Sequence, residues 1–302
     1  MQLGMVGLGK MGANMTVRLS RGGHDVVVFD VDKDAINQVS ERASNASGAA
    51  SLAELAGKLE SPRTVWVMVP SGAITDSTIE KLGNHLEAGD TIIDGGNSRY
   101  TDSQSHAEIL AAKSIDFVDA GTSGGVWGLE EGYCLMVGAK DDVFARLEPI
   151  FKTLAPPDGY ARVGEPGSGH FTKMVHNGIE YALMQAYGEG LDILAGSEFD
   201  LKVDEITEVW RHGSVIRSWL LDLAASALSK DPGLEQISGF VQDSGEGRWT
   251  VETAMNQATP APTIAMALFA RFASRQEDSF ANRMIAALRH EFGGHAVEAR
   301  RG

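Results

Sequence analysis

Short apolar runs separated by amphipathic stretches fill the first half of the chain, whereas the second half carries long helical periodicities. The runs at 3–7, 26–29, 65–69, 91–94 and 116–119 have the length and the Val/Ile content of buried strands. Between them, residues 74–85 and 101–114 repeat apolar positions at helical spacing. Strands and helices alternating at this interval predict a parallel, doubly wound sheet. Beyond Gly169 the strand signal fades, and helices are predicted at 171–195, 203–210, 214–227 and 264–288. The Gly/Pro-rich turn at 164–169 marks the change. The expected organisation is α/β over residues 1–165, followed by an all-α domain over 166–302.

The first run leads into Gly7-Leu8-Gly9-Lys10-Met11-Gly12, a G-x-G-x-x-G pattern that closes a strand and opens a helix. That context gives the pattern its meaning as the dinucleotide-binding turn of a Rossmann sheet. Gly7 makes the tight turn, Gly9 lets a pyrophosphate approach the backbone, and Gly12 permits close helix–strand packing. The helix start presents N–H groups and a positive dipole end to the phosphates. The second strand ends in Asp30, whose carboxylate is placed to accept hydrogen bonds from a ribose and to repel a 2′-phosphate. Val31 stands where an NADP site calls for an arginine, so NAD is favoured, with NADP the lesser alternative. Later strands end in Val69-Pro70, in Gly95-Gly96-Asn97 and in Ser123-Gly124-Gly125. Ligands of open α/β sheets bind at the carboxyl ends of the strands. Each of these loops is therefore either part of one crevice or plain turn chemistry.

A second concentration of chemistry lies on the predicted helix at 171–195. Residues three, four and seven apart share a helix face. Lys173, His176, Asn177 and Glu180 therefore form one stripe, bordered by Tyr181, while Phe171, Met174, Val175, Ile179 and Leu183 spread over the rest. This apolar remainder predicts a largely buried helix, in which an amine and a carboxylate are costly unless paired or used. The stripe is either a solvated intrahelical pair or a catalytic surface. Farther on, Arg217, Arg248 and Arg289 stand out, the last leading to His295.

Composition narrows the classes. The 302 residues suffice for two domains and a sizeable core. A formal net charge of −15 argues against a nucleic-acid surface, and no apolar stretch approaches a membrane span. The single cysteine, Cys134, excludes an intrachain disulfide and a thiolate metal cluster, and a buried thiol is expected. An apolar run follows Met1 almost at once, so no signal peptide and a cytoplasmic location are expected. The tail at 296–302 is expected to be loose.

Taken together, Asp94-Gly95-Gly96-Asn97-Ser98, Gly121-Thr122-Ser123-Gly124-Gly125, the 173–181 stretch, Gly247-Arg248-Trp249-Thr250 and the 289–295 segment resemble the 6-phosphogluconate dehydrogenase family. That family lies within the β-hydroxyacid dehydrogenases, and the resemblance covers nearly the whole chain. The length is similar to its short form, without the duplicated helical half of long forms. Two departures stand out: Arg248 replaces a lysine common in the family, and the run from Val126 to Leu129 differs from the usual Glu-rich segment.

The resemblance implies oxidative decarboxylation of 6-phosphogluconate to ribulose 5-phosphate without a metal. It implies Lys173 as general base and Glu180 as general acid. Asn97, Ser123, Gly124, Gly125, His176 and Asn177 would hold the carboxylate and hydroxyls of the substrate. Tyr181, Arg217, Arg248 and Arg289 would hold its phosphate, with His295 beside it. It further implies a homodimer or homotetramer in which the closing segment completes the partner's site. The rival expectation is a dehydrogenase of an unphosphorylated acid such as 3-hydroxyisobutyrate, which would share Lys173 but have no use for Glu180 or the three arginines. A non-catalytic NAD sensor on the same fold would have no use for the Lys173/Glu180 pair.

Overall fold

The computed structural model describes residues 1–298 and divides into two compact units, Met1–His176 and Asn177–Gly302. The first unit alternates strands and helices through its first six strands: β1 (Gln2–Val6), α1 (Lys10–Arg21), β2 (Asp25–Phe29), α2 (Lys33–Arg42) and β3 (Ala46–Gly48). Then come α3 (Leu52–Lys58), β4 (Thr64–Val67), α4 (Ala73–Leu82), β5 (Thr91–Asp94), α5 (Tyr100–Ala111) and β6 (Asp116–Ser123). It closes with α6 (Gly128–Glu131), β7 (Cys134–Gly138), α7 (Asp141–Leu154), β8 (Tyr160–Gly164) and the start of α8 (Ser168–Ala195).

The eight strands form one sheet in the order β3-β2-β1-β4-β5-β6-β7-β8. All pairs are parallel except β6 with β7. The expected doubly wound sheet is therefore present, with one antiparallel step. The reason is length: only ten residues separate Ser123 from Cys134, too few for the crossover a parallel neighbour requires. Three strands lie outside the five runs expected: β3 is Ala-Ser-Gly, β8 alternates half-buried and exposed positions at the sheet edge, and β7 is apolar and buried after Cys134, so its pattern is that of a strand.

Two apolar layers cover the sheet faces. One gathers Leu3, Met5, Met15, Trp66, Leu147 and Phe151 under α1 and α7; the other gathers Val27, Leu55, Val65, Leu82, Ile92 and Leu110 under α3, α4 and α5. At about 25 cal/mol per Å2 of buried apolar surface, such layers are the main force holding the sheet. Cys134 is a correction to the expected buried thiol: it is exposed, because it is the first residue of β7 and its side chain leaves the sheet before the core begins.

The second unit is helical: the remainder of α8, α9 (Val203–Trp210), α10 (Trp219–Leu228), α11 (Glu246–Asn256), α12 (Pro262–Ala273) and α13 (Phe280–Gly293). The helix expected at 214–227 begins later, at Trp219, because Ser218 caps it by accepting from the backbone N–H of Leu221. The long helix expected at 264–288 is two, α12 and α13, since Ser279 caps a new start through the N–H of Asn282. Gly178 within α8 allows close approach of α11: a Cβ there would lie 2.7 Å from Thr250 Cγ2. No described helix is long and apolar enough to cross a membrane. Positions 299–302 of the tail expected to be loose lie outside the described residues.

Candidate active site

In the first unit the parallel strands β1, β2, β4, β5 and β6 point their carboxyl ends to one edge of the sheet. That edge carries Gly7 to Gly12 after β1, Asp30 after β2, Val69 and Pro70 after β4, Asn97 after β5, and Ser123, Gly124 and Gly125 where β6 ends. Gly7 has φ +93, and a Cβ there would stand 2.4 Å from Met68 O, so no other residue fits. A Cβ on Gly12 would meet Gly7 O at 2.0 Å, which holds α1 tight against the turn. Gly9 is different: nothing lies within 4 Å of its Cβ position, and no side chain caps the α1 N-terminus that follows. An open glycine before an uncapped twelve-residue helix is a cradle fitted to a pyrophosphate.

Leu8 donates its backbone N–H to Asp30 Oδ2 at 2.6 Å, and Asp32 donates to Oδ1 at 2.9 Å. The carboxylate thus ties the glycine turn to the end of β2 and retains lone pairs for a ribose, since two oxygens offer about four acceptor sites. Val31, beside it, is 93 % exposed. These residues fit a dinucleotide.

Lys173 and His176 end the first unit. Lys173 is 8 % exposed, and its Nζ lies 3.4 Å from His176 Nδ1. Its Cβ rests on Gly121, where an added Cβ would come within 2.5 Å, two residues before Ser123. At this position the lysine stem is packed on strand backbone rather than in water.

Asn177, Glu180 and Tyr181 open the second unit, with Asn177 and Tyr181 buried and Glu180 half-buried. Asn177 Nδ2 donates to Glu246 Oε1 at 3.0 Å. Ser244 Oγ donates to Glu246 Oε2, its backbone N–H donates to the Tyr181 phenolic oxygen at 3.0 Å, and the two hydroxyls lie 3.1 Å apart. The Tyr181 ring packs on Gly247 and carries the Arg271 guanidinium 3.5 Å above its centroid. Arg248 is held by Asp243 through its Nε at 2.6 Å and stacks over Phe272 at 4.4 Å. Arg248 first, and Arg275 with it, hold the Asp243 carboxyl down to about 2 against the opposing effect of its burial.

The expected burial of α8 is partly reversed. Ile179 and Leu183 are 50 % and 45 % exposed, while Lys173 and Asn177 of the polar stripe are buried. Lys173 and Asn177 face packed surroundings together with Met174 and Tyr181, while His176 and Glu180 are half-buried and Ile179 and Leu183 lie outward. Arg217 lies exposed in the turn before α10, and Arg289 and His295 are exposed on and just after α13. Neither Arg217 nor Arg289 makes a side-chain hydrogen bond or ion pair among the described residues, whereas Arg248 does. Glu246, Ser244, Asp243, Arg271 and Arg275 lie outside the residues that the sequence singles out. The i, i+4 spacing of Arg271 and Arg275 around Phe272 is the signal that points to the last two.

Residues 2–164 match the family model described as the NAD binding domain of 6-phosphogluconate dehydrogenase, and residues 169–291 match its C-terminal domain. A Haloferax volcanii protein named as an NAD(+)-dependent, decarboxylating 6-phosphogluconate dehydrogenase is 42 % identical over 299 residues, covering 98 % of each chain. YqeC of Bacillus subtilis, which its name places provisionally in the same group, is 45 % identical over 298 residues and covers 99 % of each. Among solved structures, 6-phosphogluconate dehydrogenase of Plasmodium falciparum superposes with a TM-score of 0.85 at 27 % identity, covering all of this chain and 67 % of that one. With both halves of the chain matched in order and relatives spanning its full length, the protein is an enzyme of the 6-phosphogluconate dehydrogenase family.

Proposed function

We propose that the enzyme oxidises and decarboxylates 6-phosphogluconate to ribulose 5-phosphate and CO2, with NAD as acceptor and Lys173 and Glu180 as its acid–base pair. The observation that carries this reading is the buried Lys173 amine, packed on Gly121 ahead of the Ser123 loop, with His176 3.4 Å away. NAD, when bound, supplies the hydride acceptor. The turn from Gly7 through Leu8, Gly9, Lys10 and Met11 to Gly12 would hold its pyrophosphate, Asp30 its ribose, and Val69, Pro70 and Asn97 the nicotinamide end.

Lys173 takes the proton of the substrate 3-hydroxyl as hydride leaves C3. It then returns a proton to the new ketone oxygen while the carboxylate departs as CO2, leaving an enediol. Glu180 protonates C1 of that enediol. Asn97, Ser123, Gly124, Gly125, His176 and Asn177 orient the carboxylate and hydroxyls. Tyr181 and Arg248 bind the phosphate, joined by Arg271, whose seat on the Tyr181 ring favours it; Arg217 and Arg289 are further cations for the same group. A β-keto acid loses CO2 through its own carbonyl, so the scheme requires no metal.

The state of α13 supports assembly. None of its residues is buried, and Phe280, Met284, Ile285, Leu288 and Phe292 are all exposed. An apolar helix face of this size is suited to a second copy of the chain. Arg289 and His295 would then enter the partner's site.

The test is absorbance at the reduced-nicotinamide band with 6-phosphogluconate, using NAD and NADP in parallel, together with measurement of released CO2. NADH with stoichiometric CO2 is expected; silence with both cofactors, or reduction without CO2, sinks the reading. The cofactor choice has its own test. Asp30→Ala combined with Val31→Arg removes the charge that repels a 2′-phosphate and adds one that attracts it. The ratio of kcat/KM for NADP over NAD is expected to rise about 100-fold, or ~2.7 kcal/mol; an unchanged ratio refutes the assignment of Asp30.

A further inference from the structure

Two carboxylates lie side by side in the middle of the first unit. Asp94 and Asp119 are register partners on β5 and β6, and both are wholly buried. Burying one ionised carboxylate is costly, and burying two as neighbours more so, unless each has partners. Asp94 accepts the backbone N–H of Gly96 at 3.0 Å, within the loop that carries Asn97. Asp119 reaches farther along the chain. Its Oδ1 accepts the N–H of Gly167 at 2.6 Å, and its Oδ2 accepts the N–H of His170 at 2.7 Å.

These two N–H groups belong to the start of α8, where a helix has donors but no intrahelical acceptors. A side chain 48 and 51 residues away in sequence thus does the work of an N-cap. The His170 ring is itself fixed, with Nδ1 2.7 Å from Ser103 Oγ on α5 and 4.0 Å from Asp119 Oδ2. Burial raises the Asp119 carboxyl above its ordinary range, with Asp94 adding to the rise, while His170 and the two N–H groups pull it back.

Three glycines bring the helix down onto the strands here. A Cβ on Gly169 would lie 2.4 Å from Asp119 O and 2.5 Å from Met136 O, and one on Gly138 would meet Asp119 Oδ1 at 2.2 Å. One turn beyond His170, the Lys173 stem lies on Gly121. We infer that Asp119, supported by His170 and Ser103, is the positioning residue for Lys173, holding the first turn of α8 against β6 so that the amine stays in register with the Ser123 loop.

The inference rests on the reading of Lys173 as the base, so one measurement is chosen that needs no substrate. Acetylation of Lys173 by acetic anhydride, read by peptide mass spectrometry against the exposed Lys140 and Lys152, reports how firmly its turn is held. In Asp119→Asn, which keeps one acceptor oxygen and turns an amide against the other N–H, Lys173 labelling relative to those controls is expected to rise about fivefold through local opening. The same variant is expected to lose about 30-fold in kcat with KM for NAD unchanged, since misplacing a catalytic group by ~1 Å costs up to ~100-fold.

Ser103→Ala, a milder change that removes only the support of His170, is expected to move both readouts the same way by less. It keeps the test open if the Asp119 variant fails to fold. A folded Asp119→Asn enzyme with unaltered Lys173 labelling overturns the inference. If wild type does not turn over 6-phosphogluconate, the proposed reaction fails, and the labelling ratio still decides the role of Asp119.

Discussion

Lys173→Ala is expected to cripple hydride transfer, lowering kcat by up to about 10,000-fold while NAD still binds. General base catalysis by a positioned side chain is worth ~100- to 10,000-fold, and in the proposed reaction one amine serves both oxidation and decarboxylation. The replacement also empties a packed site. Lys173 is 8 % exposed with its stem against Gly121, so solvent cannot easily supply a base in its place. His176, 3.4 Å from the amine, is the only imidazole in the stripe. A variant that still produced NADH near the wild-type rate would assign the base to His176 or to bound water. Stopped-flow absorbance of the first turnover makes the distinction, because it sees hydride transfer before product release.

Glu246→Ala is expected to raise KM for the sugar acid about 30-fold, or ~2 kcal/mol, by releasing side chains of the proposed substrate site. Glu246 is 2 % exposed and bonds to Asn177 through one oxygen and to Ser244 through the other, with Ser244 also bonded to Tyr181. Two proposed substrate contacts therefore share one anchor. Removing it takes away the charged acceptor of the Asn177 amide and of the Ser244 hydroxyl, and a hydrogen bond to a charged group is worth about 1.5–3 kcal/mol.

Glu246→Gln separates geometry from charge. Its carbonyl can still accept from Asn177, and its NH2 can donate to Ser244 Oγ, so most of the affinity is expected to return. If steady-state kinetics give Gln and Ala the same KM, the anchor acts through its charge. An unchanged KM in Ala would remove Glu246 from the site altogether.

Tight bonds also explain why one expected cation is not free. Arg248 was expected to face a phosphate, yet its guanidinium is already held by Asp243 and laid on Phe272. An arginine has five N–H donors, so this pairing orients the group without exhausting it. Arg271 is similarly preset by the Tyr181 ring and by its donation to Gln242 O at 2.8 Å.

The features legible in the sequence are those whose physical cause is local. Gly7, Gly9 and Gly12 announce a turn because no other residue type permits that backbone and that approach, and the buried strands before and after them announce themselves by apolar content. The Lys173 to Tyr181 stripe is likewise a consequence of helical spacing alone. Caps are local too, yet Ser218 and Ser279 sit inside periodic runs, so the helices predicted from period alone run across them.

Tertiary structure decided whatever depends on partners far away in the chain. The antiparallel β7, the exposure of Cys134, and the burial of Lys173 with the exposure of Ile179 each follow from which strand or helix lies alongside. Asp119 and Glu246 read in sequence as ordinary acidic residues. They become anchors only when helix starts or side chains some 50 to 70 residues away are brought to them. A hydrogen bond of that span leaves no periodicity behind, so its two ends are unrelated letters until the fold joins them.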